Sequence, residues 1–356
     1  MTNSTNAAEM LEGLTVEGGW RVVRRLTRTP AQTGGNFCVG YEAVGPSGER
    51  GFLKALNIGR AMTTPDPVRM LQSLTAGFNF ERDLLRKCGR TGMSRVVVSV
   101  TDGVVDVADS LPSRVNYIIF EWADGGDIRM LLDEMEAIDD AIALRSLHHM
   151  ATGLKQLHSN HIAHQDLKPS NVLNFRGSEG ATTSKLGDLG RSTDQSTPAE
   201  HDAYEIAGDP SYAPPEQLYG ATPQDFGPRR LGCDLYQLGS MITFVFAGGT
   251  FNAFLYSQVP GWLHPGNWAG TYSEALPYIR DAFGHAVNEI SEAIPGGPDG
   301  ALLGMIRYLC DPDPDLRGHP VTRRRPGSPF DLTRVVTDLD VMVRKAELNL
   351  QGRSVA

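Results

Sequence analysis

Short alternating or β-branched apolar runs fill much of the first 122 residues of this chain, and helical apolar spacing dominates much of the rest. The change falls at Ala123-Asp124-Gly125-Gly126-Asp127, a natural linker too polar and glycine-rich to continue either pattern. Before it, residues 20–26, 37–44 and 51–56 read as strands. They are divided by Thr33-Gly34-Gly35-Asn36 and by Gly45-Pro46-Ser47-Gly48. Residues 95–107 and 115–121 read as two further strands joined by a turn at 109–113, and 68–88 reads as a helix. After it, residues 138–161 set Leu147, Met150, Ala151, Leu154 and Leu157 on one helical face. The expected fold class is α+β: a small part of five antiparallel strands plus a helix (18–122) and a larger, mostly helical part (123–350). A flexible tail (1–17) is expected to precede them.

A net charge of −9 does not favour nonspecific nucleic-acid binding. Cys38, Cys88, Cys233 and Cys310 have neither metal-ligand spacing nor the density of a disulfide framework, so reduced, mostly buried thiols are expected. The first residues lack the basic and apolar regions of a secretion signal. No apolar run approaches the roughly 20 residues of a membrane span. The expectation is a cytoplasmic chain without a membrane or nucleic-acid partner.

The chemistry concentrates at His164-Gln165-Asp166-Leu167-Lys168-Pro169-Ser170-Asn171. A carboxylate, a cation and an amide stand within six positions, and Pro169 restricts the loop between them. This segment resembles the catalytic loop of the protein kinase family, His-Arg-Asp followed by Asn. The resemblance implies Asp166 as base and orienter for an attacking hydroxyl and Lys168 as the cation beside the transferring phosphoryl group. It also implies Asn171 as a ligand of Mg²⁺, with Mn²⁺ a second candidate.

Other segments extend the likeness over residues 20–339 in order. Lys185-Leu186-Gly187-Asp188-Leu189-Gly190 resembles Asp-Phe-Gly, with Asp188 a metal ligand 22 residues after Asp166. Gly208-Asp209-Pro210-Ser211-Tyr212-Ala213-Pro214-Pro215-Glu216 resembles the end of an activation segment, its Glu216 expected to pair with Arg317. Asp234 resembles the helix residue that holds the catalytic loop, whose first residue is His164. In Phe52-Leu53-Lys54-Ala55-Leu56, Lys54 is implied as the phosphate-binding lysine. Glu81 is its chosen partner, with Asp83 and Glu12 as alternatives. Gly34 and Gly35 belong to a glycine-rich loop in which Cys38 stands where a third glycine is expected. Tyr117-Ile118-Ile119-Phe120-Glu121-Trp122-Ala123 resembles the adenine-binding hinge, with backbone contacts from Glu121 and Ala123 and a ribose contact from Asp127.

The likeness implies a two-lobed fold with ATP between the lobes, and a protein Ser/Thr kinase, since Lys168 marks that branch. A pseudokinase scaffold and a small-molecule kinase are the competing readings. The first is motivated by the reduced glycine loop and Gln165; the second shares the Asp and Asn spacing but not Pro-Pro-Glu with its Arg317. Gln165 stands where the family has an Arg that pairs with a phosphorylated activation segment, and Asp209 stands where it has Thr. Activity independent of segment phosphorylation is therefore expected. Ser192, Thr193, Ser196 and Thr197 are candidate autophosphorylation sites. Trp262, His264 and Trp268 are expected in core packing more than on the surface.

Overall fold

The structure is a computed structural model of the 356-residue chain. It describes residues 6–27, 37–108, 110, 113–134, 139–177, 182–325, 327 and 329–354. The chain divides into two compact units, Met1–Asp124 and Gly125–Ala356.

The first unit contains β1 (Thr15–Val16), β2 (Trp20–Arg25), β3 (Cys38–Val44), β4 (Arg50–Leu56), α1 (Ile58–Ala61), α2 (Pro67–Arg90), β5 (Ser99–Asp106) and β6 (Arg114–Glu121). The strands form one antiparallel sheet in the order β1-β2-β3-β4-β6-β5. Strand alternation places Val39, Tyr41, Ala43, Leu53, Ala55, Val115, Tyr117 and Ile119 in one buried cluster with Trp20 and Val22.

That cluster corrects the expected tail. Ala7, Ala8, Leu11 and Val16 belong to it. The Tyr41 hydroxyl donates to the Ala8 carbonyl at 2.7 Å, and the Glu17 N–H donates to the Tyr117 hydroxyl at 3.1 Å. Burial of small apolar side chains and satisfaction of two buried phenols hold residues 7–17 on the sheet. The strand count is corrected with it, because the two-residue β1 pairs with β2 and makes six.

Helix α2 begins at Asp66, whose side chain accepts from the Arg69 N–H, with Pro67 at the first helical position. Phe78, Glu81, Leu84, Leu85 and Cys88 form its buried side.

The second unit runs α3 (Ile128–Asp133), α4 (Asp140–His158), β7 (Ile162–Ala163), β8 (Val172–Arg176), β9 (Thr182–Leu186), β10 (Thr193–Asp194), α5 (Pro215–Leu218), α6 (Gly232–Ala247), α7 (Phe251–Ser257), α8 (Tyr272–Ile290), α9 (Ala301–Leu309), α10 (Pro320–Arg323) and α11 (Thr333–Ser354). Helix α6 is buried along nearly its whole length, packed by α4, α7 and α9, which is why it is mostly apolar, with buried Asp234 and Gln237 among its polar exceptions. Among the described residues no single helix is long and apolar enough to cross a membrane.

Strands β8 and β9 pair as a hairpin, and β7 pairs with β10. The expected linker is pinned rather than free. The Gly125 N–H donates to Asn174 O at 2.9 Å, and the Asn174 N–H donates to Gly126 O at 2.8 Å. A side chain at Gly125 would meet Asn174 at 2.9 Å, so this close approach requires glycine.

Trp262 corrects the expectation of core packing. It is 55% exposed and rests on Trp268 and Tyr278, with ring centroids 5.9 and 5.8 Å away. His264 donates from Nε2 to the Val259 carbonyl at 3.0 Å.

Candidate active site

In the first unit, Lys54 stands in the middle of β4 between buried Leu53 and Ala55. Its Nζ donates to both Glu81 carboxylate oxygens, at 2.7 and 2.9 Å. Glu81 lies on the buried side of α2, so the carboxylate is fixed by a packed helix. The two alternatives are engaged elsewhere: Asp83 with Arg82 and Arg86, and Glu12 with the Arg25 backbone.

Glu121 ends β6 opposite Gly51, and its side chain accepts from the Val98 N–H at 2.9 Å. Phe120 is buried beside Phe52, ring centroids 6.2 Å apart. Ala123 follows as half-buried non-regular chain. Gly34 and Gly35 lie outside the described residues.

In the second unit, the loop from His164 to Asn171 lies between β7 and β8, and all but one of its residues are buried. Asp234, fully buried on α6, holds it from beneath. Its Oδ2 accepts from the His164 N–H and its Oδ1 from the Gln165 N–H, both at 2.8 Å. Oδ1 also takes the Gln165 amide at 3.1 Å, and Oδ2 contacts His158 Nε2 at 2.8 Å. One helical turn further, Gln237 accepts from the Leu167 N–H at 2.9 Å and donates to the Gln165 carbonyl at 3.0 Å. Gln165 has φ +65°, a left-handed backbone that this side-chain and backbone network sustains.

His164 uses both ring nitrogens. Nδ1 accepts from the Asp166 N–H at 3.3 Å, which leaves Nε2 to donate to the Gly187 carbonyl at 3.1 Å. The imidazole thereby ties the residue before Asp188 to the backbone of Asp166.

Around Asp166, Lys168 Nζ lies 3.0 Å from Oδ2, and the Asp209 N–H donates to Oδ1 at 2.8 Å. Asn171 Nδ2 donates to the Asp166 carbonyl at 2.8 Å and to Oδ2 at 3.1 Å. Burial pulls the Asp166 carboxyl above its ordinary range; Lys168 opposes that rise and Asp188 adds to it. Lys168 also approaches the Asp209 carboxylate, at 3.7 Å, so the cation bridges two acids. Gly208 permits the close return of this segment, since a side chain there would meet the Gln165 carbonyl at 2.3 Å.

Asn171 precedes β8 and Asp188 follows β9, both at the open end of the hairpin. Val172 pairs with Leu186, and the Gly187 N–H closes the ladder on the Asn171 carbonyl at 2.8 Å. Asp188 has φ +55°. Among the described residues, no cluster of three or more His, Cys, Asp or Glu side chains forms a metal cage. The Asn171 amide nitrogen is committed to Asp166, while among the described residues its oxygen accepts only a long bond from the neighbouring Ser170 hydroxyl, at 3.3 Å. One amide and one carboxylate oxygen fit a hard divalent cation whose other ligands are phosphate and water.

Asp127, the expected ribose contact, stands at the start of α3. It caps α3 through the Arg129 N–H at 2.9 Å and pairs with the Arg129 guanidinium at 2.5 Å. Arg317 donates to both Glu216 oxygens at 2.7 and 2.8 Å, with both side chains essentially unexposed. Burial works against the Arg317 charge, but the Glu216 carboxylate outweighs it and holds the guanidinium above its usual range. Ser192 and Thr193 are buried, which corrects them as candidate phosphorylation sites; Ser196 and Thr197 are exposed.

Sequence reasoning missed Gln237, His158 and Arg230. Asp234 and Gln237 stand three residues apart on the face of α6 beneath the loop, a signal readable once Asp234 is chosen.

Residues 78–253 match the family model of the protein kinase domain. Over 100 residues the chain is 33% identical to serine/threonine-protein kinase DCLK1 of Rattus norvegicus, covering 28% of this chain and 22% of that protein. It is 31% identical over 158 residues to serine/threonine-protein kinase PkaB of Streptomyces coelicolor, covering 43% and 35%. It is 28% identical over 155 residues to the inhibitor of nuclear factor kappa-B kinase subunit alpha of Xenopus laevis, covering 43% and 19%. The chain thus spans about a fifth to a third of the length of these relatives.

Proposed function

The chain belongs to the protein kinase family, and from that premise we propose that it is an ATP- and Mg²⁺-dependent protein serine/threonine kinase. The carrying observation is the arrangement at Asp166, where one buried carboxylate meets Lys168, Asn171 and the Asp209 backbone. Phosphoryl transfer to a hydroxyl asks the protein chiefly for positioning and for charge where charge develops. Asp166 orients the acceptor hydroxyl and takes its proton at a carboxylate oxygen. Lys168 sets its ammonium beside that oxygen. Lys54, held by Glu81, contacts the nucleotide phosphates, and the Glu121 and Ala123 backbone contacts the adenine. A bound Mg²⁺ or Mn²⁺ would be held by Asn171 and Asp188 and would supply charge neutralisation at the phosphates.

Gln165 supports activity without phosphorylation of the activation segment, because its neutral amide is already satisfied by Asp234 and by the Arg230 carbonyl. Autophosphorylation is assigned to exposed Ser196 or Thr197. The four scattered, mostly buried cysteines support a reducing, cytoplasmic compartment.

Phosphoamino-acid analysis after incubation with labelled ATP, Mg²⁺ and a mixed peptide library tests the specificity. Label on serine and threonine is expected. Label confined to tyrosine, or none on peptide while a small alcohol is labelled, contradicts it.

A further inference from the structure

Arg230 is 4% exposed and lies in a π-helical turn, Gly227–Leu231, that leads into α6. Its guanidinium faces two segments. Nη2 donates to the Asp202 carbonyl at 2.7 Å and lies 3.6 Å from the Asp202 carboxylate. Nη1 donates to the Gln165 side-chain oxygen at 3.2 Å, and the Gln165 amide returns a bond to the Arg230 carbonyl at 2.8 Å. Arg229 adds a second cation on the Asp202 carbonyl at 2.9 Å and reaches the Tyr204 carbonyl at 3.2 Å. Burial works against the Arg230 charge and Arg229 adds to that; the Asp202 carboxylate opposes both.

A buried guanidinium with fixed acceptors on two separate segments couples their positions, because moving either leaves a desolvated donor without a partner. One of those acceptors belongs to Gln165, the residue before Asp166. The other belongs to the segment that returns to Asp166 at Asp209.

We infer that Arg230 is a positioning residue for phosphoryl transfer, holding the catalytic loop and the activation segment in register through Gln165 and Asp202. It supplies from the π turn the positive charge that the loop position 165 lacks, and its counter-acceptor is built into the chain rather than added as phosphate. The π turn contributes the geometry: a bond from the Gly232 N–H to the Gly227 carbonyl widens the helix where two adjacent arginines both reach the segment.

This rests on the kinase proposal above, so the test reads both catalysis and structure. The full chain is treated with phosphatase and its unphosphorylated state checked by mass spectrometry. Wild type, Arg230→Gln, Gln165→Arg and the swap carrying both changes are then compared. Hydrogen exchange of residues 164–168 and 199–205 is measured beside kcat and the KM for ATP. Arg230→Gln is expected to lower kcat by about tenfold or more with ATP KM nearly unchanged, and to speed exchange in both segments together. The swap is expected to recover a large part of both, since it returns a guanidinium to the same pocket. Wild-type kcat in Arg230→Gln, or faster exchange in 199–205 alone, overturns the inference. Should Arg230→Gln fail to fold, Gln165→Arg and the swap are compared. The swap is expected to be the more protected, and an equal or less protected swap overturns it. Absence of transfer by wild type counts against the kinase proposal, while the exchange data still decide whether Arg230 couples the segments.

Discussion

Asp234 receives the backbone N–H groups of His164 and Gln165 on its two carboxylate oxygens, each at 2.8 Å. A helix side chain thereby fixes the backbone two residues before Asp166 without contacting the reacting groups. Asp234→Asn replaces one acceptor with a donor facing a donor. We expect kcat to fall by roughly a hundredfold with ATP affinity retained. Steady-state kinetics check this, and a change confined to KM contradicts it.

The Glu216–Arg317 pair is buried from water on both sides. Glu216→Gln leaves a desolvated guanidinium facing a neutral amide. The expected loss is about 3–5 kcal/mol of stability, read by denaturant unfolding. Arg317→Lys keeps the charge but not the two-pronged geometry, and is expected to cost a smaller part of that stability.

Lys168 lowers an Asp166 carboxyl that burial pulls up from its ordinary 3.8. Removing the cation by Lys168→Met takes away the opposing influence, so the proton is held more tightly. The acid limb of the kcat profile, where the base must be ionised, is expected to move to higher pH. A limb that stays in place or moves lower contradicts the assignment of Asp166 as base.

His201 is buried, with Nε2 donating to the Ser192 carbonyl at 2.7 Å, and burial holds its imidazole below the ordinary 6.5. The unfolded chain therefore takes up this proton first on acidification. The stability this group contributes is present above pH 6.5 and is lost as pH falls toward the lowered folded value. Unfolding free energies between about pH 7.5 and about pH 5.5 should decline more steeply in wild type than in His201→Gln. Equal slopes contradict this.

The sheet, the long helices and most of the candidate site were legible because each rests on a local signal. Lys54 interrupts an apolar strand, Glu81 shares a helix side with core residues, and the octet around Asp166 is contiguous. The packed N-terminal segment was not legible. Alanine and a single Leu11 carry little periodicity, and the phenols that hold them, Tyr41 and Tyr117, come from distant strands. Arg230 was hidden for a related reason. It follows Gly227 and Pro228 and lies in a turn that departs from 3.6-residue periodicity, and its partner Gln165 is 65 residues away. Trp262 looked like core because large aromatics usually are; in the short helical turn Gly261–Leu263 between α7 and α8 it is Leu263 that turns inward.

Transfer of labelled phosphate from ATP to a serine- and threonine-containing protein substrate, compared between wild type and Asp166→Asn, tests the central claim most directly. The substitution keeps size and leaves Lys54, Asp188 and the fold in place. The account predicts Mg²⁺-dependent incorporation by wild type and a loss of about 10²–10⁴-fold in the variant. Equal incorporation by the two proteins would contradict it.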